Sequence, residues 1–234
     1  MTLAEPLSAE AELLSQINLF ADLGPAELNE IAASLKRRSC RKGEVIYHQD
    51  DPAGSLFIIA KGAVKMQASS PTGRQITIGW LRAGRYFGTI SLYSDALRPE
   101  NAIALEACDL LVLPREEYRA FVRRHPNAAE AILRVLSERW RYAIQRLCDM
   151  ACLDVPGRIA KILLDFSRTF GEAQPDGSVV IRHMTQPELA ALVGATRESV
   201  HNSLHSFARQ GWIEFQRGTI HILEPAGLRQ RIGD

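Results

Sequence analysis

The spacing of apolar residues changes along the first half of the chain. Between residues 10 and 36 apolar side chains recur three or four positions apart, which predicts helices, with Pro25 near the start of one. From about residue 39 to 115 they fall instead in short runs separated by turns. The runs are EVIYHQ, LFIIAKG, AVKMQAS, QITIGWL and CDLLVLP, with glycines at 43, 54, 62, 73, 84 and 88. Short strands at this spacing predict one antiparallel barrel or jelly roll.

The helical period returns after Pro114. The segment REEYRAFVRRH is followed by a long helical run that opens at Pro126 and reaches about Met150. One face of this run has the alternating three and four spacing of a heptad seam: Leu133, Leu136, Trp140, Ala143, Leu147 and Met150. Such a seam favours pairing with another helix, and we expect parallel pairing with the same helix of a second copy. The alternative is that the seam packs onto the β-domain.

A new domain is predicted from residue 153 onward. Pro156 and Gly157 interrupt the preceding period, which then resumes in the segment IAKILLDF. Asp154 is placed to cap the N-terminus of the new helix. The segment QPDGSVVIRHM then predicts a turn at Pro175 to Gly177, followed by a short strand.

Two helices joined by a glycine turn follow this strand. Thr185 and Glu188 have the spacing of a capping box, so the first helix should run from about Gln186 to Val193. Gly194 allows a tight turn, and Thr196 can cap a second helix that runs through Ala208. The apolar residues expected to face inward are Leu189, Ala190, Val193, Val200, Leu204 and Phe207. This arrangement is typical of a helix-turn-helix.

The segment GWIEFQRGTIHIL adds a predicted β-hairpin that turns at Arg217 and Gly218, as in a winged helix. In a helix-turn-helix the first residues of the second helix lie nearest the base edges, and here they include Arg197, Glu198, His201 and Asn202. Side chains predicted to contact the phosphate backbone are Thr185, Thr196, Ser199 and Arg217. The alternative is a surface hairpin in an unrelated domain.

Composition narrows the class of protein but does not point to DNA. The chain has 234 residues, 46% of them hydrophobic and 24% charged, with no apolar run of membrane-spanning length. The N-terminus shows no export signal, so we expect a cytoplasmic protein with no membrane partner. The net charge is only +1, and residues 155–234 carry nine Lys/Arg against eight Asp/Glu. The DNA prediction therefore rests on local arrangement.

Candidate chemistry outside the helix-turn-helix is sparse. The four cysteines, Cys40, Cys108, Cys148 and Cys152, lack the paired spacings of a zinc ribbon, and we interpret most of them as packing residues. Cys148 and Cys152 stand four apart, so a redox or metal response is the alternative there. The sequence shows no nucleophile in register with a base, no metal-ligand cluster and no phosphate loop. We therefore expect neither an enzyme nor a bound metal.

Four segments in order resemble one known family. FGTISL after a glycine-turned barrel, the heptad helix, LDVPGRIAKILL and MTQPELAALVGATRESVHNSLHSFARQGWIEF are similar to the cyclic-AMP receptor protein and FNR family of bacterial transcription regulators. The resemblance covers nearly the whole chain from about residue 17. It implies an α+β chain with an N-terminal jelly-roll barrel like a cyclic-nucleotide-binding domain (1–125), a dimerisation helix (126–152) and a winged helix-turn-helix (153–234).

The resemblance also implies how the chain functions. A homodimer would read a two-fold site in double-stranded DNA, with the barrel coupled to the DNA-reading helices through the long helix and the hinge, and with RNA polymerase as a further partner. Arg197 and Glu198 match the family's base-contacting Arg-Glu pair, whereas Asn202 stands where the family often has a second Arg. The alternative is a cytosolic sensor that regulates a protein partner.

The effector pocket departs from the family pattern. The family cassette reads Phe-Gly-Glu-x-x-Leu and then Arg-Ser-Ala, in which the Glu binds a ribose hydroxyl and the Arg binds the cyclic phosphate. Here Thr89 replaces that Glu, and Glu100 stands in the place of that Arg if one residue is inserted. The implied pocket positions are Gly88, Thr89, Ser91, Leu92, Arg98, Glu100, Asn101 and Ala102, with Ala143 and Ile144 where the family has adenine-contacting hydroxyls. A phosphate beside Glu100 would be repelled, so we do not expect conventional cAMP recognition.

The sequence leaves several effectors open and indicates no particular cofactor. Arg98, two residues out of register, could turn inward and bind an anionic ligand. A different or more apolar effector could bind, or the protein could be active with an empty pocket. A haem sensor would need an axial ligand, for which His48 or Cys40 is a candidate. An iron-sulfur sensor of the FNR type needs an N-terminal cysteine cluster, which this sequence lacks.

Overall fold

The computed structural model describes residues 6–73, 75–89 and 95–233. The chain divides into two compact units, residues 1–141 and 142–234. The elements of the first unit, in chain order, are α1 (Ala9–Ser15), α2 (Pro25–Ala33), β1 (Lys36–Cys40), β2 (Val45–Tyr47), β3 (Ser55–Lys61), β4 (Ala63–Ser69), β5 (Gln75–Arg82), β6 (Tyr86–Phe87), β7 (Asn101–Ala104), β8 (Cys108–Pro114), α3 (Arg115–Arg124) and the first part of α4 (Asn127–Cys152). The boundary between the two units lies within α4.

Two antiparallel sheets form the predicted barrel. Their strand orders are β1-β8-β3-β6 and β2-β7-β4-β5. Both faces of strand β3 are buried, and for this reason its sequence is a continuous apolar run. Phe57 and Ile59 point into a core shared by the two sheets. Leu56 and Ile58 point to the other face, into a second core formed with the helices.

Three strands of the first unit were missed by the sequence pattern. Strand β1, with the sequence KRRSC, is largely exposed and pairs only with β8 at the edge of its sheet. The predicted helical region of residues 10–36 therefore contains α1 and α2 but ends in the first residue of β1. Strands β6 and β7 have only two and four residues. None of the three carries the apolar run by which the other strands were found.

Helix α4 uses one face for the core and leaves another exposed. Ala128, Ile132 and Val135 are buried in the helical core of the first unit. The predicted seam lies elsewhere on the helix, and its large side chains are exposed, with Trp140 at 69% and Leu133 at 63%. For Leu133, Leu136 and Trp140, which lie in the same unit as the two sheets, the alternative in which the seam packs onto the β-domain is therefore not what the structure shows.

The second unit is built around α5. After the last part of α4 its elements are α5 (Val155–Phe170), β9 (Glu172–Ala173), β10 (Val179–Ile181), α6 (Gln186–Val193), α7 (Arg197–Arg209), β11 (Ile213–Gln216), β12 (Thr219–Ile222) and α8 (Pro225–Ile232). The four strands form one antiparallel sheet in the order β11-β12-β10-β9. All six apolar residues predicted to face inward from the two helices are buried.

The predicted helix ends are confirmed. Asp154 accepts a hydrogen bond from the amide of Gly157 at 2.9 Å and so caps α5. Gly194 has φ +68° after α6, a left-handed conformation that glycine adopts without a steric penalty. The hairpin between β11 and β12 turns through Arg217 (φ 48°) and Gly218 (φ 79°), as a two-residue turn requires. Within the described residues, no helix has both the length and the apolar character needed to span a bilayer.

Candidate nucleic-acid interface and barrel pocket

The helix pair α6 and α7 begins with two side-chain caps. The Thr185 hydroxyl accepts a hydrogen bond from the Glu188 amide at 3.4 Å, and Glu188 accepts in return from the Thr185 amide at 3.2 Å. Thr196 accepts from the Ser199 amide at 3.1 Å, which fixes the start of α7. In both caps the bonded residues are three positions apart, so the local sequence determines where the two helices begin.

Helix α7 separates a buried face from a solvent face. Val200, Leu204 and Phe207 are buried, and so is Ser203, whose hydroxyl donates to the Ser199 carbonyl at 2.7 Å. The exposed positions include all four residues predicted to read bases, namely Arg197, Glu198, His201 and Asn202. The structure therefore brings these side chains onto one accessible surface at the start of a helix. Their role in base reading stays a prediction.

The hydroxyls predicted to bind phosphate already have local partners. Thr185 Oγ1 donates to Glu188 Oε2 at 3.0 Å, and the hydroxyls of Thr196 and Ser199 lie 2.9 Å apart. Arg217 is exposed at the tip of the hairpin. A phosphate contact by the three hydroxyls would add to their capping bonds, whereas Arg217 is available without any rearrangement of a cap.

Two arginines that sequence analysis missed hold the end of α6. Arg146 of α4 donates to the Leu192 carbonyl at 2.7 Å. Arg158 of α5 donates to the Val193 carbonyl at 3.0 Å. The last carbonyls of a helix lack partners within it, so cations at this end both satisfy them and complement the helix dipole. The helix pair is thereby attached to α4 and α5.

A buried ion pair ties α4 to α5 close by. Lys161 lies 2.6 Å from a carboxylate oxygen of Asp149, which is only 8% exposed, and Gln145 donates to the same oxygen at 3.0 Å. Asp154, the cap of α5, also forms an ion pair with Arg231 of α8. These contacts join residues far apart in sequence, and no local motif announces them. They make the C-terminal end of α4 a structural part of the second unit.

In the barrel, Arg98 turns inward. It is 4% exposed, and its guanidinium donates to the Ser55 carbonyl at 2.9 Å and to the Gly88 carbonyl at 3.4 Å. The guanidinium also lies 4.2 Å from the centroid of the Tyr47 ring and 5.6 Å from that of Phe57. Burial lowers the pKa of Arg98 from its usual value. Arg98 stands two residues out of register with the family cassette, yet its side chain lies inside the barrel.

Gly88 makes room for that arginine. It has φ +83°, and an added Cβ would lie 2.6 Å from Arg98 Nη1 and 2.9 Å from the Ser55 carbonyl oxygen. Thr89, next to it, is also buried. Two of the predicted pocket residues, Ser91 and Leu92, lie outside the described residues.

Glu100 and its neighbours have separate roles. The Tyr47 hydroxyl donates to Glu100 Oε1 at 3.1 Å. Burial raises the pKa of Glu100, and this outweighs the lowering by the Tyr47 hydrogen bond and by the charges of Arg98 and Arg139. Asn101 accepts from the Gln49 amide at 3.0 Å and donates to the Gln67 carbonyl at 3.1 Å, so it holds strands together. Ala102 is fully buried in β7.

The remaining candidates are dispersed. Ala143 and Ile144 lie at exposed positions of α4 in the second unit. Cys40 and Cys108 stand opposite each other on β1 and β8 as free thiols, and burial raises the pKa of both. Cys148 and Cys152 are exposed. His48, the other haem candidate, is exposed. Among the described residues, no three or more His, Cys, Asp or Glu side chains are grouped as metal ligands would be.

Two family models match the chain. A cyclic nucleotide-binding domain matches residues 37–125, and a Crp-like helix-turn-helix domain matches residues 157–231. The CRP-like cAMP-activated global transcriptional regulator of Mycobacterium tuberculosis is 30% identical over 221 residues, which cover 94% of this chain and 98% of the relative. The chain belongs to the Crp/FNR family of transcription regulators.

Another relative and two solved structures agree with this family. The cyclic AMP receptor protein of Thermus thermophilus is 32% identical over 212 residues, covering 91% of this chain and 95% of the relative. The catabolite activator protein structure from the same organism has a TM-score of 0.54 at 30% identity and covers 92% of this chain and 98% of its own. A CRP/FNR-family regulator from Thermus thermophilus gives a TM-score of 0.72 at 27% identity, with coverages of 85% and 99%.

The family sets the class of function. The α+β fold with a cyclic nucleotide-binding-like domain and a helix-turn-helix DNA-binding domain is confirmed, and the relatives are transcription regulators rather than enzymes. Helix-turn-helix regulators of this family bind DNA and dimerise. Both relatives are named for cAMP, whereas the cassette of this Crp/FNR chain has Thr89 and Glu100 at two altered positions.

Proposed function

We propose that this chain is a homodimeric, sequence-specific DNA-binding transcription regulator that acts on a two-fold operator. The observation that carries the proposal is the solvent face of α7, where Arg197, Glu198, His201 and Asn202 lie together while the opposite face is buried. Arginine can bond the O6 and N7 of guanine, glutamate can accept from cytosine N4, and asparagine can bond adenine. A helix with these side chains near its start suits the major groove.

Dimerisation is supported by the exposed seam of α4. Five of its six side chains are large and apolar, and they are exposed along a helix of 26 residues. A stripe of this kind needs a partner, because contiguous exposed apolar surface is uncommon on a monomer. A second copy of α4 supplies the same stripe, and a parallel pair would relate the two subunits by a two-fold axis that matches a two-fold operator.

Coupling between barrel and DNA would run through α4. Arg146 near its C-terminal end bonds the last turn of α6, and Asp149 is paired with Lys161 of α5. A rotation of this end of α4 would therefore move the helix pair with it. Two recognition helices must sit about 34 Å apart to engage one face of the duplex, so a small rotation is enough to break the match.

The effector is not cAMP held in the conventional way. Glu100 stands where the family's phosphate-binding Arg is expected, and its carboxyl is bonded to Tyr47. Arg98 is the cation nearest in sequence, and it already bonds two carbonyls. Three states agree with these contacts: an anionic ligand that recruits Arg98, an effector of another class, or a regulator that is active with its own arginine in the pocket. Burial of Cys40 and the raised pKa of its thiol disfavour this residue as an axial haem ligand, whereas the redox alternative concerns Cys148 and Cys152, which are exposed.

RNA polymerase is the expected further partner of such a regulator. The rival function is a sensor that acts on a protein partner, with the helix pair as a protein-binding surface. Selection of duplexes from random DNA by the purified full-length chain separates the two. An enriched two-fold motif supports the regulator, whereas salt-sensitive binding without enrichment contradicts base reading.

Two variants sharpen that experiment. Arg197→Ala should weaken binding to the selected duplex by about 1–3 kcal/mol and relax the preference at one base pair in each half-site. Arg209→Ala is the matched control, since Arg209 is an exposed arginine in the last turn of the same helix. Equal affinity of Arg197→Ala and the parent chain for the selected duplex would show that Arg197 does not read a base.

A further inference from the structure

Two histidines stand together on the exposed face of α7. His201 and His205 are four residues apart, and their ring centroids are 4.2 Å from each other at an interplanar angle of 62°. The His205 ring also contacts Phe215 of β11 edge-on, with centroids 5.1 Å apart. Both histidines are exposed, and within the described part of the chain neither ring forms a hydrogen bond or an ion pair. Their ring nitrogens are therefore free for a ligand.

This pair has the chemistry of a metal-binding site. Neutral imidazole is the commonest protein ligand for transition metals and suits Zn²⁺, Cu²⁺ and Ni²⁺. Side chains four apart on a helix lie on one face, so two histidines at this spacing can bind the same ion. A Zn–N bond is about 2.0–2.1 Å long, so an ion can bridge neighbouring rings after small side-chain rotations. Exposure permits those rotations, while Phe215 limits the positions open to His205.

We propose that His201 and His205 form a two-imidazole site for a divalent transition-metal ion, and that this metal competes with DNA for α7. Water would complete the coordination of the ion. The second half of the proposal rests on the proposed function, because His201 is one of the four residues predicted to face the bases. A nitrogen bound to metal cannot bond a base edge, and a hydrated ion adds bulk to a surface that must fit the groove. By linkage, DNA would weaken metal binding by the same factor.

The metal site is tested without DNA. Zn²⁺ is titrated by calorimetry into the metal-free full-length chain carrying Cys148→Ser and Cys152→Ser, since these two exposed thiols are rival zinc ligands. This chain is the parent in all the zinc experiments, and each histidine variant is made in it. One ion should bind per chain. His205→Gln and His201→Gln should each lose this binding, whereas His48→Gln, a change at an exposed histidine in the first unit, should retain it. Thermal unfolding of each variant establishes that it is folded.

Two results would overturn the metal site: zinc binding by His205→Gln that equals the parent's, or no zinc binding by the parent. The competition is measured separately, as the apparent Kd for the selected duplex with and without Zn²⁺. Zinc should raise that Kd for the parent and leave it unchanged for His205→Gln. An unchanged Kd for the parent refutes the competition while the metal site stands. Failure to select any duplex refutes the proposed function, and the calorimetry still decides the site.

Discussion

The guanidinium of Arg98 lies 4.2 Å from the centroid of the Tyr47 ring, and the hydroxyl of the same tyrosine donates to Glu100. One aromatic side chain thus contacts both a buried cation and a carboxyl group within the barrel. The sequence indicated a pocket that has lost its phosphate-binding arginine. It also left open that Arg98 turns inward, and in the structure this arginine does so and is bonded to the barrel's own carbonyls.

Arg98→Ala should destabilise the first unit. The substitution leaves the Ser55 and Gly88 carbonyls without this donor, and an unsatisfied buried polar group costs about 1–3 kcal/mol. Urea unfolding of the full-length chain measures the change in free energy of unfolding. Arg123→Ala is the control, since Arg123 is an exposed arginine in the last turn of α3. An unchanged unfolding free energy for Arg98→Ala would mean that its bonds contribute nothing net.

The buried carboxyl of Glu100 should make stability depend on pH. Its pKa is raised in the folded chain, so the folded state binds this proton more tightly than the unfolded state does. The stability it contributes is present below the unfolded pKa of about 4.3 and is lost as pH rises through the folded pKa. Glu100→Gln should flatten the fall in unfolding free energy over this window.

The slope of unfolding free energy against pH is measured from pH 4 upward for the parent, for Glu100→Gln and for a control variant. Glu214→Gln, a change at an exposed carboxylate on β11, should keep the slope of the parent. If Glu100→Gln and the parent have the same slope, the pKa of Glu100 is the same in the folded and unfolded chains, and its burial does not control its charge.

Trp140→Glu should disrupt the dimer. Trp140 is 69% exposed in the single chain and lies in the middle of the seam, so a dimer would bury a carboxylate there without a partner. Sedimentation velocity at several concentrations should show a dimer for the parent and a monomer for the variant. Tyr142→Glu serves as the control, because Tyr142 is an exposed aromatic residue on the same helix but off the seam. A monomeric parent would refute the dimer itself.

Arg146→Ala should lower the affinity for DNA without changing which bases are preferred. Loss of its bond to the Leu192 carbonyl should cost about 0.5–1.5 kcal/mol of unfolding free energy and loosen the attachment of α6 to α4. Binding to the selected duplex should weaken while the preferred bases stay the same, since no base-facing residue has changed. Arg168→Ala, a change at an exposed arginine whose pair with Asp165 is 3.9 Å long, should change neither quantity. A changed base preference would contradict this positioning role.

Features fixed by local chemistry were the ones the sequence predicted well. The caps at Thr185 and Thr196 and the left-handed Gly194 depend on residues within one turn of the chain, and all three are confirmed. The heptad pattern likewise identified side chains that the structure leaves exposed. By contrast, β1 was missed because its residues are polar, and its partner, β8, lies about 70 residues away in sequence.

The barrel pocket shows the same division. The substitutions at 89 and 100 are visible in the sequence, but the direction of the Arg98 side chain depends on a loop and on carbonyls 10 and 43 residues away. The bond from Arg146 to Leu192 spans 46 residues and follows from packing alone. Long-range polar contacts of this kind leave no periodic signal, so a single sequence could not reveal them.

The close approach of Arg98 to Gly88 links the fates of two positions in evolution. A side chain at 88 would meet the guanidinium and also the Ser55 carbonyl oxygen, at a φ of +83° that favours glycine, so losing the arginine alone would not make the position tolerant. Among orthologues that retain this loop, an arginine at 98 should therefore be inherited only alongside glycine at 88, whereas glycine at 88 should persist where the arginine is lost.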